Sequence, residues 1–160
     1  RLASSGRSSQ RQILDFKFVD SPAHVASLLG PRSLEVRRLN LADGQPFARV
    51  TVWCREDLGA DLSKAAVERQ SFFELLPVEF GGATQTIGAG LAGDEDAALL
   101  DIASESPMLV VKRTTSDADG TPVLVAEHVF PGHLTEFVVD LETIRNDQAD
   151  SPSGLRLLDD

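Results

Sequence analysis

Three charged side chains keep step with apolar neighbours in alternating segments: Arg38 with Leu34 and Val36, Arg113 with Leu109 and Val111, and Glu127 with Val123, Val125 and Val129. A period of two places such residues on one face of a strand. A charge on an apolar face must meet an opposite charge, water or a ligand, because burying it unpaired is costly. Two outcomes stay open for Arg38. It forms an Arg–Glu pair or an edge contact with water within the sheet, or its planar fork anchors the carboxylate or phosphate of a small molecule. A second candidate is Ser71, in Ser71-Phe72-Phe73-Glu74. That spacing is a capping box, in which the serine oxygen accepts from the third helical N–H and the glutamate reaches back. The start of a helix also offers free N–H groups to an anion, so a ligand held between Arg38 and Ser71 would use both.

Other chemistries find little support. There is no nucleophile elbow, phosphate loop, zinc-binding helix or calcium loop, and no local spacing gathers serine, histidine and acid into a catalytic set. The glycines around Ile87-Gly88-Ala89-Gly90 follow no strand-to-helix fingerprint for a dinucleotide. His128 and His133 flank Pro131-Gly132 without a third ligand, so neither a metal nor a cofactor is assigned. The net charge of -10 over 160 residues argues against this chain gripping nucleic acid by itself. Cys54 stands alone, which excludes an internal disulfide framework and points to a reducing cytoplasm. No run of apolar residues approaches a membrane span, and no signal-peptide pattern opens the chain.

The candidate residues must be positioned by two hairpins. Leu34 to Leu41 and Phe47 to Cys54 surround Ala42-Asp43-Gly44-Gln45-Pro46, and Met108 to Ser116 and Val123 to Phe130 surround Asp119-Gly120-Thr121-Pro122. An Asp-Gly between alternating apolar runs marks a tight turn, because glycine takes positive φ without steric cost. Leu39 and Leu41 point away from the Leu34, Val36, Arg38 and Asn40 face, so the sheet is expected to be covered on both sides. Further strands are expected at Gln12 to Val19, Ala83 to Leu91 (weak or bulged, given its glycines) and Thr135 to Leu141. Short helices are expected at Pro22 to Leu29 with Ser21 as cap, Asp61 to Arg69, Ser71 to Leu76, and Glu95 to Leu100 with Asp94 as cap. Residues 1–11 read as a linker, 12–142 as one domain and 143–160 as an acidic tail. The chain opens without methionine, and a segment upstream of Arg1 is expected. Strands joined largely by hairpins, with short helices between, give an α+β class with an antiparallel sheet.

Taken in order, Val36-Arg37-Arg38-Leu39-Asn40-Leu41-Ala42-Asp43-Gly44-Gln45-Pro46, Ser71-Phe72-Phe73-Glu74-Leu75-Leu76, Ala97-Ala98-Leu99-Leu100-Asp101-Ile102, Pro107-Met108-Leu109, Arg113 and Asp119-Gly120-Thr121-Pro122-Val123 resemble UTRA domains from about Ile13 to Leu141. These are the effector-binding domains of HutC-type regulators in the GntR family of bacterial transcription factors. The resemblance implies a chorismate-lyase-like antiparallel sheet flanked by helices that binds a small-molecule effector without enzymatic activity. It also implies a homodimer, and contact with DNA only through a winged-helix domain preceding this chain.

Carried over position by position, the resemblance implies an effector site at Arg38, Asn40, Val50, Ser71, Phe73, Leu124, His128 and Phe130. Arg38 matches the first arginine of an Arg-x-Arg pattern whose second member is here Asn40. Phe73 and Phe130 stand where tyrosines are common, and Val50 and Leu124 where acids are frequent. His128 shares the Leu124 face, whereas Glu127 points away. The departures favour an anionic ligand with a single charged end and an apolar or aromatic body, since a sugar phosphate needs more hydrogen-bonding partners. A lyase acting on a small carboxylic acid and a dimerisation module without ligand remain as alternatives.

Overall fold

The computed structural model describes residues 9–141 and 156–159. Six strands form one antiparallel sheet: β1 (Ser9–Asp20), β2 (Arg32–Ala42), β3 (Gln45–Arg55), β4 (Phe80–Leu91), β5 (Pro107–Asp117) and β6 (Pro122–Pro131). Their order is β1-β2-β3-β6-β5-β4, so two three-stranded meanders join in the middle through their last strands. Both expected hairpins form. Asp43 and Gly44 both take positive φ (49° and 79°), as a two-residue turn between twisted strands requires. The second turn is longer and is organised by Asp117, whose carboxylate accepts from the N–H groups of Asp119 and Thr121, while Gly120 takes positive φ.

Among the described residues five short helices cover the sheet: α1 (Ala23–Leu29), α2 (Glu56–Gly59), α3 (Lys64–Arg69), α4 (Phe72–Leu75) and α5 (Asp94–Leu100). On one face, Leu34, Val36, Val50, Val52 and Leu124 pack beneath Val67 of α3 and Phe72 and Leu76 of the α4 segment. On the other, Leu39, Met108 and Val129 meet Ala97 and Leu100 of α5, while Trp53 and Val125 meet Val25 and Leu29 of α1. Covering both faces explains why apolar residues alternate with apolar residues along β3. None of the described helices is long and apolar enough to cross a membrane.

Several boundaries differ from expectation for identifiable reasons. Strand β1 begins at Ser9, because Gln10 and Arg11 continue the ladder opposite Leu41 and Asn40 despite their polarity. Ser21 does not cap α1; its hydroxyl donates to Ser33 Oγ at 2.9 Å, and Pro22 occupies the cap position. Asp94 likewise lies inside α5, with Gly93 at the cap, and its carboxylate accepts from Ser104 Oγ at 2.8 Å. The Asp61 to Arg69 helix shortens to α3, with Ser63 accepting from the Ala66 N–H. No strand forms over Thr135 to Leu141: a 3-10 turn at Gly132–Leu134 leads the chain off the sheet, whose two edges are β1 and β4, and leaves Val138 and Val139 more than 70% exposed. Most of the linker and of the acidic tail, residues 1–8, 142–155 and 160, lies outside the described residues.

Candidate functional site

Strand register gathers much of the candidate set into adjacent rows. Arg38 of β2 pairs with Val50 of β3, Val50 with His128 of β6, and His128 with Val111 of β5. In the neighbouring row Asn40 lies opposite Ala48, and Phe130 opposite Leu109. All point to the face carrying α3 and α4, as the alternation of Arg38 with Leu34 and Val36 requires. Arg38 Nε donates to Asn40 Oδ1 at 3.2 Å, and the His128 ring stacks on Phe130 with 5.9 Å between centroids.

The electrostatics of this face are one-sided. Burial, and then the nearby Arg11, lower Arg38 from 12.5 to about 10. Burial also pushes the His128 imidazole down from 6.5 to about 4, aided by the positive charges of Arg38 and Arg113. Arg113 donates twice to the neutral oxygen of Gln85, at 2.9 and 2.6 Å. Among the described residues, Arg11, Arg38 and Arg113 form no ion pair. Other arginines of the sheet do: Arg32 with Asp20 and Glu56, Arg37 with Glu95, Arg49 with Asp96 and Glu127, and Arg55 with Asp57. Burial would depress Arg49, yet the hydrogen bonds and charges of Asp96 and Glu127 raise it. The Arg–Glu pair considered for Arg38 is thus made by Arg49 and Glu127 on the opposite face.

The remaining candidates fall differently. Val50 and Leu124 are 0% and 5% exposed, closed into the core under the α3 and α4 segments, so they support the face without being open to a ligand. Ser71 Oγ accepts from the Glu74 N–H at 3.3 Å and donates to Glu74 Oε1 at 3.2 Å. This is a working cap on a single-turn helix. The adjoining carboxylate repels an anion, so the geometry favours the cap role. Phe73 is 52% exposed and packs on Phe80 at 4.8 Å between ring centroids. Sequence reading missed Arg11, which its Ser/Arg/Gln-rich surroundings disguised as linker; only pairing with Asn40 brings it to the site.

Two depressions lie elsewhere. One of about 300 Å³ opens on the opposite face beside Trp53, Thr84, Thr86, Lys112 and Glu127. The other, about 420 Å³, lies between the end of α1 and α2 and is lined by Arg32, Arg55, Glu56 and Asp57, whose charges are mutually compensated. Among the described residues no three His, Cys, Asp or Glu side chains gather as metal ligands. Cys54 is buried, and burial with Asp57 nearby pushes its thiol up to about 12.

Solved structures share this open antiparallel sheet. The effector domain of PhnF from Mycobacterium smegmatis superposes with a TM-score of 0.77 at 17% identity, over 89% of this chain and 92% of that one. A GntR-family transcriptional regulator from Enterococcus faecalis V583 gives 0.76 at 20% identity, over 82% and 99%. The UTRA domain pattern matches residues 4–136, and the chain belongs to that family, the effector-binding domains of GntR-family regulators of the HutC type. It is 26% identical over 146 residues to the HTH-type transcriptional repressor NagR of Bacillus subtilis strain 168, covering 86% of this chain. The chain spans 59% of that relative's length.

Proposed function

We propose that this domain senses an anionic metabolite with an apolar body, bound on the Arg38, Asn40, His128 and Phe130 face. One observation carries the reading: among the described residues the arginines of this face have no carboxylate partner, whereas Arg37, Arg49 and Arg55 are neutralised from within. A guanidinium held partly out of water without a counter-charge is poised for an external anion. The Phe130 ring, stacked with His128, supplies an apolar surface beside the charge.

A sensing role is favoured over a lyase because no carboxylate serves as acid or base among these four residues, and because the relatives are regulators. DNA would be contacted through a separate domain, in the cytoplasm. Effector binding would then move attached DNA-binding domains only if it favours one arrangement of a dimer over another. Strand β4 supports a homodimer reading. It is a twelve-residue edge strand, Phe80 to Leu91, with neither a charge nor a proline, and it is exposed along nearly its whole length. Such an edge is a template for pairing with a second copy.

Isothermal titration with aromatic and aliphatic acids and with sugar phosphates tests the site. Arg38→Ala should weaken an anionic effector by about 2 kcal/mol, the scale of a lost charged hydrogen bond. Unchanged affinity in a folded variant removes Arg38 from the site. Nanomolar binding of a sugar phosphate would sink the apolar-body reading.

A further inference from the structure

We infer that Arg113 is a second anion anchor, so that the ligand carries two anionic groups separated by an apolar spacer rather than one charged end. The inference rests on the sensing reading above and concerns the class of ligand that the same face takes. Arg113 stands in the row Val36–Val52–Ala126–Arg113–Gln85, next to the row of Arg38 and His128 and on the same side of the sheet. From β2 to β5 there are three strand spacings, about 14 Å, and the two-residue offset adds about 7 Å along the strands. The two arginine backbones therefore stand about 16 Å apart, with β6 and its His128 between them.

Three features point to a second anchor rather than a structural arginine. The Arg113 side chain is exposed and, among the described residues, bonded only to the neutral Gln85 oxygen, which orients the guanidinium without spending its charge. Arg38 is held in the same manner, by the neutral Asn40 oxygen. Register sets Arg38 on β2, two strands to one side of His128, and Arg113 on β5, one strand to the other, and both charges act on the imidazole. Glu127 and Glu74 are engaged elsewhere, Glu127 with Arg49 behind the sheet and Glu74 with Ser71. Each arginine takes one anionic end of a ligand whose apolar middle crosses between their rows, beside the half-buried Ala126 and His128. A dicarboxylate and a phosphorylated acid share this chemistry.

The test uses hexanoate and adipate, which have the same carbon chain and differ by one charged end, with 3-phosphoglycerate as a polar dianion for comparison. Binding is followed by amide chemical shifts and titration calorimetry. Adipate is expected to bind roughly tenfold tighter than hexanoate, the scale of one added charged hydrogen bond. In Arg113→Gln that ratio should collapse to within about twofold of unity, Arg113→Lys should restore part of it, and Arg37→Gln, on the opposite face, should keep it. 3-Phosphoglycerate binding tighter than adipate and lost in Arg113→Gln would keep the second anchor and assign the phosphorylated acids. An adipate preference that survives in Arg113→Gln overturns the second anchor, as does a wild-type ratio near one. In either case, hexanoate binding that still depends on Arg38 leaves the sensing reading standing. Absence of binding by all three at millimolar concentration overturns both.

Discussion

His128 gives the sharpest physical prediction, because its environment ties the site to stability. The folded imidazole titrates near 4, displaced from 6.5 first by burial and then by Arg38 and Arg113. Between these values the unfolded chain binds a proton that the folded chain refuses, so stability is present above the unfolded value and is lost as pH falls through the window. With a free value near 6.5, this one group contributes almost no loss at pH 7.5, about 1.4 kcal/mol at pH 5.5 and about 2.5 kcal/mol at pH 4.5. His128→Gln removes the titration while keeping a polar side chain. Urea unfolding of both proteins at the three pH values isolates the effect, since carboxylate titrations common to both cancel in the difference. The wild type should lose about 2.5 kcal/mol more than the variant between pH 7.5 and 4.5, whatever the variant's starting stability. Parallel losses in the two proteins would refute the placement of His128 in a desolvated, positively charged setting.

Three further outcomes follow from other contacts. Asp96→Ala removes the bidentate partner of Arg49, whose bonds of 2.8 and 2.9 Å lie between largely covered side chains, and should cost about 3 kcal/mol in urea unfolding; a loss below about 1 kcal/mol would mean that water already screens the pair. Ser71→Ala deletes the α4 cap and should cost about 1 kcal/mol while leaving anion affinity unchanged, as calorimetry on the folded variant would check. Ile87→Lys puts a charge on the exposed β4 edge; sedimentation should show monomers with an unaltered melting temperature, and a persistent dimer would move the interface away from β4.

Local chemistry made the strands, the Ser71 cap and the two-sided coverage legible, and left the caps of α1 and α5 and the detail of that coverage obscure. The Asp43-Gly44 and Asp119-Gly120 turns, with alternation on either side, place both hairpins, and period two alone puts Arg38 and Leu34 on one face. The caps fail where a competitor outside the window intervenes. Ser33 claims the hydroxyl of Ser21 from twelve residues away, and Ser104 occupies the carboxylate of Asp94. Thr135 to Leu141 has the composition of a strand but no edge to join once the 3-10 turn has led it away. Whether Val50 and Leu124 would be open or closed depends on how Val67, Phe72 and Leu76 settle over them. No alternation within a strand encodes that.

The two faces of the sheet differ in where their counter-charge comes from, and this bears on what the Arg38 face binds. Behind the sheet, the acidic first turn of α5, Asp94-Glu95-Asp96, complements its own helix start and also neutralises Arg37 and Arg49. On the Arg38 face, Val50 is the direct register neighbour of both Arg38 and His128. An acid in place of Val50 would stand between the two groups, pair with the arginine and hold the imidazole nearer its ordinary value. With valine there, the face has no anion at this position, and the proposed effector would supply one. Val50 is itself closed into the core, so its influence on the proposed effector is electrostatic rather than by contact.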